Sequence, residues 1–347
     1  MSNKSRKKNK LKSFIKKYRF QSIICCIIAV ILMGFGIYKF FIEGPKDYSD
    51  FADDVIFKSG EYTMKYDEVY FLTKNKQAYY EAYYLSSGTD LDWNGEYEDG
   101  KTFGQVVLDE SLEFAKEIFI FSEYAKANDI ELSQAELSSI ESEVSDFFKE
   151  SGSKIINATK VNSDILKRVY IRTAYHDKLC DEIYRQTDLN VDADELRQCL
   201  VAIVELGPKY FDSPKEMAES IMNRVNSGEV ITEVAQKYDT KAVKGNVGKG
   251  TMKGTSLEEM CLGLKNGECN IAEIDGTYFV AYCYLAYDEE ATDYAVEEKI
   301  EELKAEAVAE YYEELLKEMP VYVDEKAWST ITFNERIFTK DDIKASN

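Results

Sequence analysis

Between residues 55 and 186 the apolar positions recur mostly every three to four residues, which is the spacing of helices. A strand at 55–58 and a turn at Ser59-Gly60-Glu61 precede the first predicted helix, which begins near Tyr66. Three more helices are predicted at residues 103–128, 133–151 and 163–186, the second opening on a Ser133/Glu136 capping box. The segment 86–101, rich in Gly, Asp and Ser around Trp93, is predicted to be a surface loop.

The pattern changes near Asp192, where shorter elements follow one another. The sequence predicts a strand at 201–204, helices at 213–227 and 231–238, a glycine-rich loop, a helical turn at 257–264, and strands at 272–274 and 278–285. The loop holds Gly245, Gly248, Gly250 and Gly254. So many short elements in one stretch predict a compact α+β domain. A charged helix at 294–319, ended by Pro320, then leads to strands predicted at 321–323 and 329–333.

The N-terminus has the pattern of a membrane anchor. A basic tail, residues 1–19, precedes an uncharged, isoleucine-rich run from Phe20 to Tyr38, and we assign a transmembrane helix to residues 20–42. Because positive flanks stay in the cytoplasm, the rest of the chain is expected outside it, as a single-pass protein of the cell membrane. Two alternatives stay open. A cleaved signal peptide would have a poor exit at Gly34 and Gly36, and a lipoprotein would need Cys25 to follow a small residue, whereas Ile24 is bulky.

Charge and histidine content exclude several classes of function. Residues 1–43 carry ten Lys/Arg and one acid, so the remaining 304 residues hold 33 bases against 63 acids. Nucleic acid is therefore not an expected partner. The single histidine, His176, cannot form a His-rich metal site, and no metal or cofactor is predicted. Inside a long amphipathic helix, His176 is interpreted as a structural residue.

Two further groups of residues favour structural interpretations. Tyr79, Tyr80, Tyr83 and Tyr84 have the spacing i, i+1, i+4, i+5, which we interpret as a stripe facing the core, in preference to a ligand site. Five cysteines follow the anchor, an odd number without a C-x-x-C pair, and buried free thiols are favoured over a disulfide framework.

Several motifs resemble the PrsA/SurA type of extracytoplasmic folding factor. Residues 58–63, with Tyr66-Asp67-Glu68, are similar to the "NGE-x-IT-x-x-E" opening of that family, and residues 190–195 to the "V-T-D-E-E" element before its parvulin domain. Lys244–Gly248 is similar to "G-G-x-L-G", and Leu264–Glu268 matches "L-x-x-G-E". Gly276–Val280 stands where the family has "G-x-H-I-I". The order G-x-x-G-x-G at 245–250, without a following GK[ST], argues against a phosphate loop.

Together with the membrane-anchor helix predicted above, the resemblance implies an α+β chain of four parts. A membrane-anchor helix is followed by a helical chaperone-like domain, residues 45–190 with 291–347. This domain encloses a compact parvulin-like domain, residues 191–290, and is completed by a returning C-terminal helix. The implied function is that of a membrane-anchored protein of the peptidyl-prolyl cis-trans isomerase family that binds unfolded secreted polypeptides.

The parvulin-like part departs from the family at the positions that the resemblance makes catalytic. The family has a histidine on the first strand and another on the last, where this chain has Val201–Val204 and Tyr278. The resemblance leaves Tyr278 and Asp239 as catalytic candidates. Proline isomerisation needs no nucleophile but a dry pocket that twists a bond with a barrier of ~18–20 kcal/mol. Met252, Leu257, Leu262 and Phe279 could line such a pocket or belong to the core.

Three functions therefore stay open at the sequence level. The leading one is a folding factor whose catalysis is weak or lost. The others are an active isomerase that works without the usual histidines, and a non-catalytic structural envelope protein with one fixed partner.

Overall fold

The computed structural model describes residues 47–339 and residue 342. They fall into two compact units, one holding residues 47–179 with those from 315 onward, the other Cys180–Glu314. The domain boundaries expected from the sequence lie at residues 190 and 291. The boundaries between the two compact units lie after Leu179 and after Glu314, each inside a long helix. Helices and strands mix in an α+β architecture, as expected. Within the described residues, no helix is long and apolar enough to cross a bilayer. The basic tail (1–19) and the predicted anchor (20–42) lie outside the described residues.

The elements of the first 140 described residues are mostly long helices, in the order α1 (Tyr48–Phe51), β1 (Val55–Ser59), β2 (Tyr62–Lys65), α2 (Tyr66–Ser86), β3 (Glu96–Glu98), β4 (Lys101–Thr102), α3 (Phe103–Ala127), α4 (Gln134–Glu150), α5 (Ser153–Thr159) and α6 (Ser163–Gln186). The Ser133/Glu136 capping box predicted for α4 is confirmed. The Ser133 hydroxyl accepts the Glu136 N–H at 3.3 Å, and the Glu136 carboxylate accepts the Ser133 N–H at 2.7 Å.

The remaining elements begin with β5 (Cys199–Leu206), α7 (Pro214–Asn226), α8 (Ile231–Gln236), β6 (Ala242–Val247), α9 (Ser256–Gly263), β7 (Cys269–Ile274) and β8 (Thr277–Leu285). The chain then continues through α10 (Glu289–Glu318), β9 (Tyr322–Val323) and α11 (Glu325–Trp328). Most predicted elements are present with boundaries shifted by a few residues. The strand predicted at 329–333 is wrong, and several short elements, among them α1, α5, the β3–β4 hairpin and β6, were not predicted.

In the first unit, β1 pairs with both β2 and β9, so the C-terminal segment joins the sheet at the start of the unit. The segment after β9 forms no strand at 329–333, since the N–H groups of Ser329, Thr330 and Ile331 bond in turns to carbonyls of α11. Side chains of α2 bind backbone groups further along the segment. The Glu81 carboxylate accepts the N–H groups of Ile337 and Phe338 at 2.7 and 2.8 Å, and Lys74 Nζ donates to the Thr332 carbonyl at 2.8 Å. These bonds satisfy backbone groups that a strand would have used.

The predicted surface loop at 86–101 is only partly a loop. It contains the short hairpin β3–β4, and Trp93 is buried with 5% of its surface exposed. Trp93 Nε1 donates to Glu81 at 2.9 Å, so the indole has a partner inside the protein. A turn-rich composition predicted the exposed backbone but not this inward-facing side chain.

The tyrosine stripe of α2 divides between core and solvent. Tyr80 and Tyr84 are half-buried and pack against a cluster that contains Leu91, Trp93 and Phe333. Tyr79 and Tyr83 are 66% and 59% exposed, so the prediction that all four face the core is wrong for these two. Four residues spaced i, i+1, i+4, i+5 span too wide an arc of a helix to share one buried face.

The second unit contains an antiparallel four-stranded sheet with the order β6-β5-β8-β7. One sheet face packs against α7 and α8 through residues such as Val204, Ile221 and Val234. The opposite face packs against α9 through Val201 and Leu257. Gly245, assigned to the glycine loop from sequence, lies inside β6 and pairs with Val201, because the β5–β6 ladder extends through it.

His176 and the cysteines have the structural roles expected of them. The His176 ring lies 2.8 Å from Glu117 Oε1 and 2.9 Å from Asp177 Oδ1, and it stacks on Phe121 with centroids 5.3 Å apart. The five cysteines of the described residues are buried, and Cys199, Cys261, Cys269 and Cys283 are free thiols. Burial raises the pKa of Cys261 and of Cys269 to about 12, so these thiols are protonated near neutral pH.

Candidate functional site

A groove lies on the α9 side of the second unit's sheet, at one end of β5 and β8. In the β5–β8 ladder Glu205 pairs with Phe279, and Ile203 stands two positions along β5 on the same face as Glu205. The concavity that they border has a volume of about 680 Å³. Its lining residues are Ile203, Glu205, Gly207, Tyr210, Phe211, Asp239, Thr240, Lys241, Val243, Met252, Leu257 and Phe279. We call this concavity the groove.

The structure brings four of the six predicted site residues together in the groove: Asp239, Met252, Leu257 and Phe279. Tyr278, which the resemblance makes a catalytic candidate, is not among the residues that line the groove. Successive strand residues point to opposite faces, so Tyr278 belongs to the sheet face that packs against α7. A hydrogen bond with Glu273, followed by burial, raises the pKa of its phenol.

Leu262 also lies away from the groove. It comes five residues after Leu257 on α9, which at 3.6 residues per turn places it roughly 140° around the helix. It is half-buried against the core cluster of Cys199 and Cys261. The core interpretation left open for this position is therefore the one that the packing supports.

The loop that carries Met252 is held by a buried carboxylate. Glu258, 4% exposed, accepts the N–H groups of Gly250 at 2.9 Å and Met252 at 2.6 Å, with Gly254 more distant at 3.4 Å. Gly250 and Gly254 have left-handed φ angles of 87° and 69°. The donated hydrogen bonds from Gly250 and Met252 lower the pKa of Glu258 below its usual value. This bonding fixes the backbone that presents Met252 to the groove.

Polar groups stand at the margin of the groove and apolar groups at its floor. Glu205, Asp239 and Lys241 are exposed, whereas Leu257 is buried and Phe279 half-buried. Asp239 has a left-handed φ of 54°, which Asp tolerates better than most residues. The chain's one histidine, His176, belongs to the first unit. The arrangement can therefore bind a partly apolar ligand, but its lining contains no imidazole for acid–base chemistry.

Sequence reasoning missed several groove residues, chiefly Ile203, Glu205, Tyr210 and Phe211. For the first two a signal existed: Val201, Ile203 and Glu205 alternate along β5 and so share one face. Tyr210 and Phe211 lie in an irregular segment between β5 and α7, whose path no periodicity predicts.

The first unit carries an exposed aromatic surface. We call Tyr79, Tyr83 and Tyr97 the tyrosine patch; they are 66%, 59% and 60% exposed. The rings of Tyr79 and Tyr83 stack with centroids 6.5 Å apart and planes inclined by 17°, and the Tyr97 ring lies 5.2 Å from that of Phe103. Solvent-facing aromatic groups held in place by such contacts are typical of interaction surfaces.

Comparison with known proteins gives matches among solved structures alone. No protein-family model matches this chain, and no curated protein matches it. PrsA from Bacillus subtilis is 14% identical, with 70% of this chain and 97% of that chain covered and a TM-score of 0.23. The peptidylprolyl isomerase PrsA from Bacillus cereus is 13% identical, with 69% of this chain and 96% of that chain covered and a TM-score of 0.32. A structure from Campylobacter jejuni, reported with the SurA-like chaperones PEB4 and Cj1289, is 11% identical, with 78% of this chain and 99% of that chain covered and a TM-score of 0.27.

These similar structures are foldases of the PrsA and SurA type. They are the kind of protein that the motifs at residues 58–68 and 244–280 resemble. Because the TM-scores are low, the function of this chain is argued below from its own residues.

Proposed function

We propose that this chain is an extracytoplasmic folding factor that binds proline-containing segments of unfolded polypeptides in the groove, with isomerase catalysis weak or lost. The observation that carries the proposal is the convergence of Met252, Leu257 and Phe279 on one concavity with polar groups at its margin. Its volume of about 680 Å³ lies within the range of ~300–1,000 Å³ usual for pockets that bind small apolar groups.

A proline ring suits this lining for two physical reasons. The ring is apolar and lacks an N–H group, so it enters an apolar site without leaving a donor unpaired. The flanking peptide groups do need partners, and the exposed carboxylates of Glu205 and Asp239 can accept their N–H groups at the margin.

Weak catalysis follows from the groove's polar groups. Twisting a prolyl bond requires lowering a barrier of ~18–20 kcal/mol, and a preorganised hydrogen-bonding group near the bond is the usual means. Tyr278 belongs to the other sheet face, which leaves Asp239 as the remaining candidate from the sequence. An exposed carboxylate in contact with water is a poor source of such stabilisation.

The tyrosine patch gives the first unit a second surface for unfolded clients. Tyr79, Tyr83 and Tyr97 offer large aromatic areas without a deep, shape-selective pocket, which suits contact with many sequences. The strongly acidic part after residue 43 keeps such a surface soluble through charge repulsion between copies.

We also propose that residues 20–42 anchor the protein and that the chain after Glu43 lies outside the cytoplasm. The support is the basic tail followed by an uncharged run. Protease added to intact cells should digest the chain after Glu43 and leave the tail protected. Recovery of a soluble protein that starts within residues 34–45 would contradict this topology.

The test of the general function is suppression of aggregation by the chain after Glu43. We expect it to keep several unrelated unfolded proteins soluble at near-stoichiometric ratios, as measured by light scattering. A chain that protects no unfolded client and captures one folded partner would instead be a structural envelope protein.

A further inference from the structure

A second cavity, of about 790 Å³, lies in the first unit beside α2 and the segment that follows α11. Tyr70 and Lys74 are one turn apart on α2 and both line this cavity, as do Thr332 and Asn334 of the C-terminal segment. The cavity is large enough for a small organic molecule. It belongs to a different unit from the groove, so what it binds does not depend on the function proposed above.

Lys74 is an unusual lysine because its side chain is buried, with 8% exposed. Its Nζ donates to Gln77 Oε1 at 2.5 Å and to the Thr332 carbonyl at 2.8 Å. Among the residues that the structure describes, no carboxylate makes an ion pair with it. Burial therefore lowers the pKa of Lys74 to about 8.

Several charged groups face Lys74 and act in both directions. Glu81, bound through Gln77, and Glu335 at the cavity wall favour the ammonium form, as does the Phe333 ring 5.6 Å away. Lys160, also at the cavity wall, disfavours a second positive charge on Lys74, and the carboxylate of Asp47, which interacts with Lys160, offsets the charge of Lys160. Burial outweighs the two glutamates.

The hydrogen bonds of Lys74 suit a neutral amine. An ammonium group has three N–H donors, whereas a neutral amine has two and a lone pair. Gln77 Oε1 and the Thr332 carbonyl accept two N–H bonds from Lys74. A neutral amine therefore uses both of its N–H groups in these bonds and keeps its lone pair available for reaction. A desolvated lysine of this kind is the type of amine that condenses with carbonyl compounds.

We propose that Lys74 is a reactive amine that takes a small aldehyde in this cavity as an imine. The nitrogen lone pair attacks the carbonyl carbon, and the carbonyl oxygen takes up a proton. The resulting carbinolamine loses water as the second amine proton departs, and a C=N bond remains. The step needs no oxidant or reductant. Tyr70 lines the same cavity, and burial raises the pKa of its phenol to about 12, so it stays protonated and can donate to the carbonyl oxygen.

The experiment is competitive labelling of the folded chain with propanal and cyanoborohydride, which converts an imine into a stable propyl-lysine that peptide mass mapping locates. At pH 7 an amine with a pKa of about 8 is neutral on the order of a hundred times more often than an ordinary lysine. We therefore expect Lys74 to be labelled at least roughly ten-fold faster than other lysines, allowing for slower entry and lower intrinsic nucleophilicity.

Internal controls make the result interpretable without a variant. Lys76 lies on the same helix but pairs with Glu110 at 2.9 Å, and Lys160 lines the same cavity but is exposed. Both should label at the ordinary rate, and in urea the advantage of Lys74 should vanish. Lys74→Arg, which keeps a cation but forms no imine, should lose the fast site and no other. Labelling of Lys74 at or below the rate of Lys76 in the folded chain would overturn the proposal, as would an advantage that persists in urea.

Discussion

Phe279 of β8 pairs directly with Glu205 of β5, so an exposed carboxylate borders the aromatic ring at the floor of the groove. With Asp239 also at the margin and Lys241 as the one basic lining residue, the groove carries a small excess of negative charge. This balance predicts a charge preference at the positions that flank a bound proline.

Replacing Glu205 by lysine should change that preference. The Glu205→Lys protein is expected to bind a peptide with glutamate beside proline about two- to five-fold more tightly than the unsubstituted chain, since exposed pairs contribute roughly 0.5–1 kcal/mol. A peptide with lysine beside proline should lose affinity by a similar factor. Fluorescence anisotropy at low and high salt measures both. If neither peptide responds at low salt, Glu205 does not contact the ligand.

Removal of the Glu258 carboxylate should release the loop that presents Met252. Gln at position 258 retains one carbonyl oxygen in place of a charged pair, so one of the short bonds to Gly250 and Met252 is lost or weakened. We expect a lower melting temperature of the second unit and weaker peptide binding. Glu259→Gln, one residue on and exposed, is the matched control and should change neither.

The same carboxylate gives a predicted pH dependence. The pKa of Glu258 is lower in the folded state than its ordinary value of 4.5, so its stabilising contribution is complete above that value. It is lost as pH falls below about 4.5 toward the folded pKa. Glu258→Gln should therefore remove part of the acid destabilisation seen by circular dichroism between pH 5 and 3, namely the part that the titration of this one carboxyl group contributes. An unchanged acid profile would contradict this role.

In the first unit, Glu81 should be a major source of stability. It is 2% exposed and accepts hydrogen bonds from Trp93, Gln77, Ile337 and Phe338. Glu81→Gln places an amide N–H₂ against some of these donors, and we expect a loss of about 1–3 kcal/mol in the free energy of unfolding. Tryptophan fluorescence during urea unfolding reports it. Glu110→Gln, which breaks the exposed pair with Lys76, should cost at most about 1 kcal/mol. Equal effects would mean that Glu81 does not anchor the C-terminal segment.

The tyrosine patch should matter for clients and not for folding. Tyr79→Ala with Tyr83→Ala removes two exposed rings, so the melting temperature should barely change, whereas protection of unfolded clients from aggregation should fall. Tyr322→Ala, which removes a 71% exposed tyrosine of β9 in the same unit, is the control. If the control impairs protection as strongly, loss of general aromatic surface and not the patch is responsible.

Much of this arrangement could be predicted from local sequence, and what could not was decided by partners far along the chain. Periodicity located α2, α3, α4 and α6, since each helix carries its own pattern of apolar residues. The inward position of Trp93 depended on Glu81, and Thr332 in the segment predicted as a strand is bound by Lys74 of α2; no local pattern contains these partners. Strand alternation alone would have separated Tyr278 from Phe279, whereas motif position favoured Tyr278 because the family has a histidine there.

The measurement that tests the central claim most directly is binding of a fluorescent proline-containing peptide to Phe279→Ala and Tyr278→Phe, adjacent residues on opposite faces of β8. Phe279→Ala removes an apolar contact worth about 1–2 kcal/mol, so affinity should fall roughly ten-fold, with circular dichroism confirming the fold. Tyr278→Phe should bind as the unsubstituted chain does, and prolyl isomerisation should stay weak or absent in all three proteins. Unchanged affinity in Phe279→Ala, or fast isomerisation that Tyr278→Phe abolishes, would contradict the account.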